Sequence, residues 1–305
     1  MYSKYSDLCI YKLKRKLKNE HIMKTRTIEK IVFAQEHAMG DMMIKQPLPS
    51  SEVNYLDPFV LLHHGQNEIS EDIELKHSGV GPHPHRGFAP VTFVFEGGVS
   101  HLDSRGNKGT VYKGGTQWMN AGMGIIHSER PVVSGMQEII QMWVNSPAKN
   151  KMDQPTYYPL TAEETPNYIS EDGKVNLSVV SGELMNVKGP VPTLSPINSA
   201  MIWAEKEGKI TISLPENHNT FLYLLSGKVR INGQEINRHN MIVFANDGDE
   251  IEIQFLEDTK ALLMSGEPIG EKIFAKGPFV LNEEIQIAQA YRDYRMGKMG
   301  VLIEE

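Results

Sequence analysis

From residue 88 onward the chain repeats one device: a short run of β-branched and aromatic residues, a glycine turn, then another run. Residues 91–95 give way to Glu96-Gly97-Gly98, 99–103 to a turn over 104–109, and 110–112 to Gly114-Gly115; 117–120, 124–128 and 137–144 continue the series. Such residues suit a pleated, half-buried surface, and glycine supplies the turns. No helical period intervenes. Strands this short and this closely spaced point to an antiparallel sandwich or barrel. The pattern returns over 175–180, 200–205, 209–214, 220–225, 228–231, 241–245, 250–255 and 261–266, with Asn232-Gly233 as a strong hairpin signal. The predicted class is all-β: two antiparallel jelly-roll barrels in one chain.

Upstream, 25–33 and 42–45 predict two more strands, and 57–62 a buried one that ends at His63-His64-Gly65. The polar stretch 66–77 is expected as a surface loop. Residues 145–166 contain Pro147, Pro155, Pro159 and Pro166 and show neither a helical nor a strand period. These signals place a first barrel at 25–145, a linker at 146–170 and a second barrel at 171–305. A closing helix is predicted at 282–296. Asn282 can cap it, Gly297 can stop it, and Ile287, Ala290, Tyr291 and Tyr294 fall on one stripe.

At 305 residues, 40% hydrophobic and 23% charged, the chain can bury two cores. Its net charge of −7 argues against nucleic acid as a direct partner. Residues 1–24 hold seven basic and two acidic side chains, a net +5, which leaves −12 on the remainder. This basic extension is expected to be poorly ordered, with binding of an acidic partner as the alternative, and Met23 offers a second start. No apolar h-region follows it, and no run of ~18 apolar residues exists, so neither a signal peptide nor a membrane span is expected. Cys9 is the one cysteine; an internal disulfide is excluded, and a cytoplasmic location is expected. A monomer is expected.

Histidines gather at the ends of the first glycine-rich series. His83-Pro84-His85 opens it and His127-Ser128-Glu129 closes it. Residues i and i+2 of a strand share a face, so each pair projects together, and two pairs on neighbouring strands can bring four ligands to one point. Imidazole and carboxylate suit a divalent transition metal: iron(II), nickel, copper or manganese. Two histidines and a carboxylate with open positions is the pattern of non-haem iron oxygenases; the third histidine here leaves an octahedral ion two free positions. A closed, structural zinc site is the main rival. A single His-x-His beside prolines is more often structural than metal-binding, and the second pair is what strengthens the metal reading. His63 and His64 are adjacent and point to opposite sides of a strand, so one of them can stand behind the site. His101 reads as a strand-surface residue, and His77, His218 and His239 as exposed. His21 and His37 lie outside the barrel pattern. The second half has no His-x-His and no His-x-Glu, and is expected to bind no metal.

The run His83-Pro84-His85-Arg86-Gly87-Phe88, with Val91-Thr92, Glu96-Gly97, His101, Asp103-Ser104, Gly106-Asn107, Gln117-Trp118-Met119, Ala121-Gly122 and 124–129, resembles the pirin family of bicupins. The similarity extends to Leu56-Asp57-Pro58-Phe59 upstream and to 277–282 and 290–294 downstream, nearly everything after Ile28. The resemblance implies a metal-binding N-terminal cupin, with Fe(2+) held by three histidines and a glutamate that fall on His83, His85, His127 and Glu129. It also implies the quercetin 2,3-dioxygenase activity of some members, and the nuclear cofactor role of some eukaryotic ones. Ala89-Pro90 and His63-His64-Gly65 depart from the family pattern. Neither change removes a ligand, but both bear on the pocket wall.

The expected function is thus a mononuclear non-haem iron dioxygenase. A small aromatic substrate such as quercetin would chelate the metal through its 3-hydroxyl and 4-carbonyl oxygens, dioxygen would be the co-substrate, and Glu129 would be the catalytic base. The alternative is a non-enzymatic regulator whose metal redox state tunes its binding to a protein partner. A zinc-dependent isomerase is a third reading.

Overall fold

The structure is a computed structural model and describes residues 23–304 apart from Asp41 and Ile73. Residues 1–22, most of the expected basic extension, lie outside the described residues. The chain runs through β1 (Ile28–Phe33), β2 (Gln35–Met39), β3 (Met42–Leu48), β4 (Phe59–Ile69), β5 (Val80–His85), β6 (Phe88–Glu96), β7 (Gly98–Asp103), β8 (Lys108–Tyr112), β9 (Thr116–Asn120), β10 (Ile125–Pro131) and β11 (Gly135–Asn145). It continues through β12 (Thr156–Leu160), β13 (Asn167–Ile169), β14 (Val175–Ser181), β15 (Glu183–Leu184), β16 (Val187–Lys188), β17 (Ile197–Ala204), β18 (Lys209–Ser213), β19 (Asn219–Leu224) and β20 (Lys228–Ile231). It ends with β21 (Gln234–Asn237), β22 (Asn240–Phe244), β23 (Glu250–Phe255), β24 (Thr259–Gly266), β25 (Phe274–Lys276), β26 (Phe279–Leu281) and a helix, α1 (Glu284–Arg295).

Each half is a sandwich. The first sets the seven-stranded sheet β12-β9-β6-β11-β4-β3-β2 against the four-stranded sheet β5-β10-β7-β8. The second sets β1-β22-β19-β24-β17-β14-β13 against β18-β23-β20-β21. The expected barrels are therefore open, because the edge strands of one sheet pair with no strand of the other. Helices long and apolar enough to cross a membrane are absent among the described residues.

The halves pack through the outer faces of their seven-stranded sheets. Phe59, Val91, Phe93, Phe95 and Trp118 meet Phe221, Tyr223, Leu262 and Met264 in one core. Each such side chain contributes about 1.5–3 kcal/mol on burial. This seam explains why β6 is buried on nearly every residue: one face meets the second half and the other faces into the first sandwich. The seam also holds a polar knot. His64 contacts the Tyr223 hydroxyl at 3.0 Å and Glu138 at 3.3 Å, and Lys260 donates to Glu138 at 2.6 Å.

The two halves also exchange ends, which corrects the expected boundaries. β1 pairs with β22 of the second half rather than with the first. Just ahead of it, the buried Arg26 guanidinium donates to the carbonyls of Pro215 (2.5 Å), His218 (2.8 Å) and Gly248 (3.0 Å). Conversely, the C-terminal segment lies on the first half: Arg86 pairs with Asp293 at 2.9 Å, and Ser104 donates to the Met299 carbonyl at 2.7 Å. The expected linker carries β12 and β13, each an edge strand, one for each sheet. Prolines are tolerated at a sheet edge, so Pro159 does not break β12.

Three smaller expectations also change. β4 runs past His63-His64-Gly65 to Ile69, because β11 pairs with it along that whole length. α1 begins after Glu283, whose N–H, like that of Asn282, donates to the Gln286 side chain at 3.0 Å. Asp293 replaces Tyr294 on the buried stripe, since Lys298 and Arg86 bind its carboxylate and hold it well below the usual acid range, while Tyr294 is 37% exposed.

Candidate metal centre

Strand alternation and register assemble the site on the inner face of the four-stranded sheet. His83 and His85 lie two apart on β5, and His127 on β10 stands directly opposite His83. On its other side β10 pairs with β7, which places His127 opposite Asp103 and Glu129 opposite His101. One imidazole nitrogen from each of His83, His85 and His127 falls in a group whose atoms all lie within 4.8 Å of one another. Ring centroids are 4.3 Å apart for His83–His127, 4.7 Å for His83–His85 and 5.0 Å for His85–His127.

The turn after His85 fixes the pair in place. Gly87 has φ +86°, and a Cβ there would lie 2.1 Å from the Val280 carbonyl oxygen, so only glycine lets β26 approach. Arg86 reaches outward to the Met123 carbonyl (2.6 Å) and to Asp293 of α1. Phe88 and Trp143 pack edge-on against the His85 ring at 5.0 and 5.3 Å.

The donor set fits a transition-metal ion. His83 and His85 direct Nδ1 at the backbone carbonyls of Gly81 (2.8 Å) and Pro278 (3.3 Å), which accept the N–H and leave the Nε2 lone pair free. His127 Nε2 is buried and has no hydrogen-bond partner. A buried polar atom without a partner is costly, and a ligated metal would satisfy it. Burial first, and neighbouring imidazoles second, hold His85 and His127 well below the ordinary histidine pKa, so both are neutral and ligand-competent near pH 7.

Glu129 lines the same space as His83 and His85 but does not join the group of converging atoms. The β5–β10 ladder shifts register between His127 and Glu129. The carboxylate reaches across the sandwich to Thr92 of β6, whose hydroxyl donates at 2.5 Å, and to Gln141 of β11, whose amide donates at 2.9 Å. The site opens into a cavity of about 310 Å³ walled by Met42, Ile44, Ile139 and Trp143. His63 faces this cavity and bonds Gln46 at 2.8 Å, whereas His64 points into the seam. Ala89 also faces the seam, whereas His63 and Gly65, from the other departure, line the cavity wall.

Sequence reasoning missed His101, Asp103, Thr92 and Gln141. His101 is buried rather than on a strand surface, stacks on Tyr157 at 4.0 Å and joins Asp103 to His127. A signal was present: His101-x-Asp103 has the same spacing as His83-x-His85 and His127-x-Glu129. Thr92 and Gln141 carried none, because their meeting with Glu129 depends on how the two sheets face each other. His218 is buried, not exposed, with Nδ1 3.2 Å from the Ser265 hydroxyl.

Two cupin sandwiches in one chain, the first holding three converging histidines under an apolar cavity, define a bicupin. Comparison with known proteins narrows this. Residues 41–144 match the family model described as Pirin, and residues 200–300 the one described as Pirin C-terminal cupin domain. The chain is 36% identical to Pirin-like protein 2 of Arabidopsis thaliana, over 90% of this chain and 86% of that protein. It is 32% identical to Pirin of Homo sapiens, over 88% of this chain and 92% of that protein. Among solved structures, quercetin 2,3-dioxygenase from Acinetobacter baumannii superposes with a TM-score of 0.86 at 33% identity, covering 92% of this chain and all (100%) of that one. The chain belongs to the pirin family.

Proposed function

We propose that this pirin-family protein is a mononuclear non-haem iron dioxygenase that opens the ring of a flavonol-type substrate, with quercetin as the compound to assay. The observation that carries the reading is the convergence of three imidazole nitrogens within 4.8 Å beside an apolar cavity that also presents a carboxylate. The similarity to a solved quercetin 2,3-dioxygenase supports it. His83, His85 and His127 would hold the ion, and Glu129 would be the fourth ligand or stand beside it. When bound, ferrous iron supplies Lewis acidity toward a chelating enol and redox chemistry toward dioxygen.

The chain's own residues set the rest. The apolar walls around Trp143 and Ile139 favour a flat aromatic body and exclude water from it. The Glu129 carboxylate, held by Thr92 and Gln141, is an acceptor for the proton of a substrate hydroxyl entering the cavity. Elemental analysis combined with a quercetin assay under air tests the proposal. Turnover that requires iron and dioxygen and disappears in His127→Ala is expected. Full zinc occupancy without turnover, or turnover that survives His127→Ala, would overturn it; an inert iron protein would favour the partner-binding alternative.

A further inference from the structure

We propose that His101 and Asp103 are positioning residues that decide which nitrogen of His127 faces the centre of the histidine group. The inference rests on reading that group as a metal centre, and it assigns a role to two residues outside the ligand set.

The argument follows the hydrogen bonds inward. The Asp103 carboxylate is pinned by the backbone N–H groups of Arg105 (2.8 Å) and Asn107 (3.0 Å) and by the Asn107 side-chain amide (2.8 Å). These bonds, with His101, keep its pKa below the ordinary value against the opposing effect of burial. An ionised carboxylate only accepts, so His101 Nε2, 3.1 Å away, must donate. With Nε2–H given to Asp103, Nδ1 is the nitrogen that His101 turns to His127. That atom lies 3.4 Å from Nδ1 of His127; a proton on His127 Nδ1 bridges the two rings and leaves the lone pair on the buried Nε2, where an N–H would have no partner.

The surroundings keep His101 in register. Tyr157 from β12 stacks on its ring with planes 9° apart. Gly109 lies opposite His101 in the β7–β8 ladder, and a Cβ there would meet the Tyr157 hydroxyl at 2.4 Å, so the absent side chain is what admits the tyrosine. The contrast with the other two histidines sharpens the point. Backbone carbonyls, present whatever the side chains, hold His83 and His85, whereas a chain of side chains holds His127.

The test uses the full chain, metal-free and labelled with 15N-histidine. Long-range proton–nitrogen spectra near pH 7 report the His127 tautomer, and competition against a chromophoric chelator reports cobalt(II) affinity. Wild type is expected to carry the proton on Nδ1. His101→Phe keeps the stack on Tyr157 but loses the acceptor; it should lose the Nδ1–H preference and about 10–100-fold in affinity. His101→Gln loses the ring but can donate to Asp103 and accept from His127, and should retain most of the affinity. A packing role predicts the reverse ranking of Phe and Gln, and that ranking would overturn the proposal, as would a wild-type proton on Nε2. If His101→Phe does not fold, Asp103→Asn takes its place: a tautomer shift supports the proposal and an unchanged tautomer contradicts it. A wild-type chain that binds no cobalt refutes the metal-centre reading, while the spectra still decide the tautomer question.

Discussion

The two sandwiches share a plan and differ in what fills it. Between the sheets of the second lie hydrocarbon side chains, among them Leu177, Ile202, Ile212, Leu222, Leu224, Ile253 and Phe255. Between those of the first lie His83, His85, His101, Asp103 and His127, with Glu129 bridged to Thr92 and Gln141. A packed hydrocarbon interior stabilises, whereas buried polar groups cost free energy unless every one is partnered. The difference teaches a division of labour. The second half, the shared seam and the exchanged ends are built from packed and paired groups, and the first half alone sets a histidine cluster between its sheets.

The sharpest way to break this comparison is to remove one of the three converging histidines. His127→Ala should lower metal affinity by more than the roughly 100-fold that marks the upper end for outer partners, with the unfolding transition of the metal-free protein retained. Calorimetric titration with iron(II) or cobalt(II) reads it. The opposite change, Leu222→Ala in the second core, should cost about 2–5 kcal/mol in denaturant unfolding and leave affinity below the transition unaltered. Arg26→Met attacks the exchange of ends. It strips the carbonyls of Pro215, His218 and Gly248 of a donor and should cost about 3 kcal/mol, read as a lower urea midpoint at constant slope.

Acid should separate the halves by a smaller margin. Burial lowers His63 to about 4 and holds His64, His85 and His127 below the ordinary value in the first half. In the second half it lowers His218 and takes His239 to about 4. For a base whose folded pKa is depressed, the unfolded chain takes the proton first. The stability is complete above the unfolded value near ~6.5 and is lost as pH falls below it. In metal-free protein, hydrogen exchange at pH 5 should therefore expose first-half amides before second-half ones; uniform loss would contradict this. The smallest effect is expected from Tyr157→Phe. The buried hydroxyl has no partner, so its removal should change stability by under about 1 kcal/mol in thermal unfolding while keeping the stack on His101.

Much of this was legible in the chain itself, for a local reason. His83-x-His85 and His127-x-Glu129 declare a shared face through strand alternation alone, and glycine turns mark most strand ends. What escaped depended on partners far away in sequence. β1 reads as the start of the first half, yet its ladder lies on β22. Pro159 reads as linker until an edge position makes it harmless to β12. Asp293 looks like surface on a helical wheel until Arg86 reaches it from the turn beside the histidines. That the Glu129 carboxylate meets Thr92 and Gln141 depends on how the two sheets face each other, which no local pattern declares.

The claim that the chemistry belongs to the first half alone is tested most directly by metal stoichiometry, measured by elemental analysis on chains loaded with iron(II) without oxygen and then desalted. The account predicts one ion per chain in wild type, one in Leu222→Ala and none in His127→Ala. Two ions per wild-type chain, or an ion retained by His127→Ala, would contradict it.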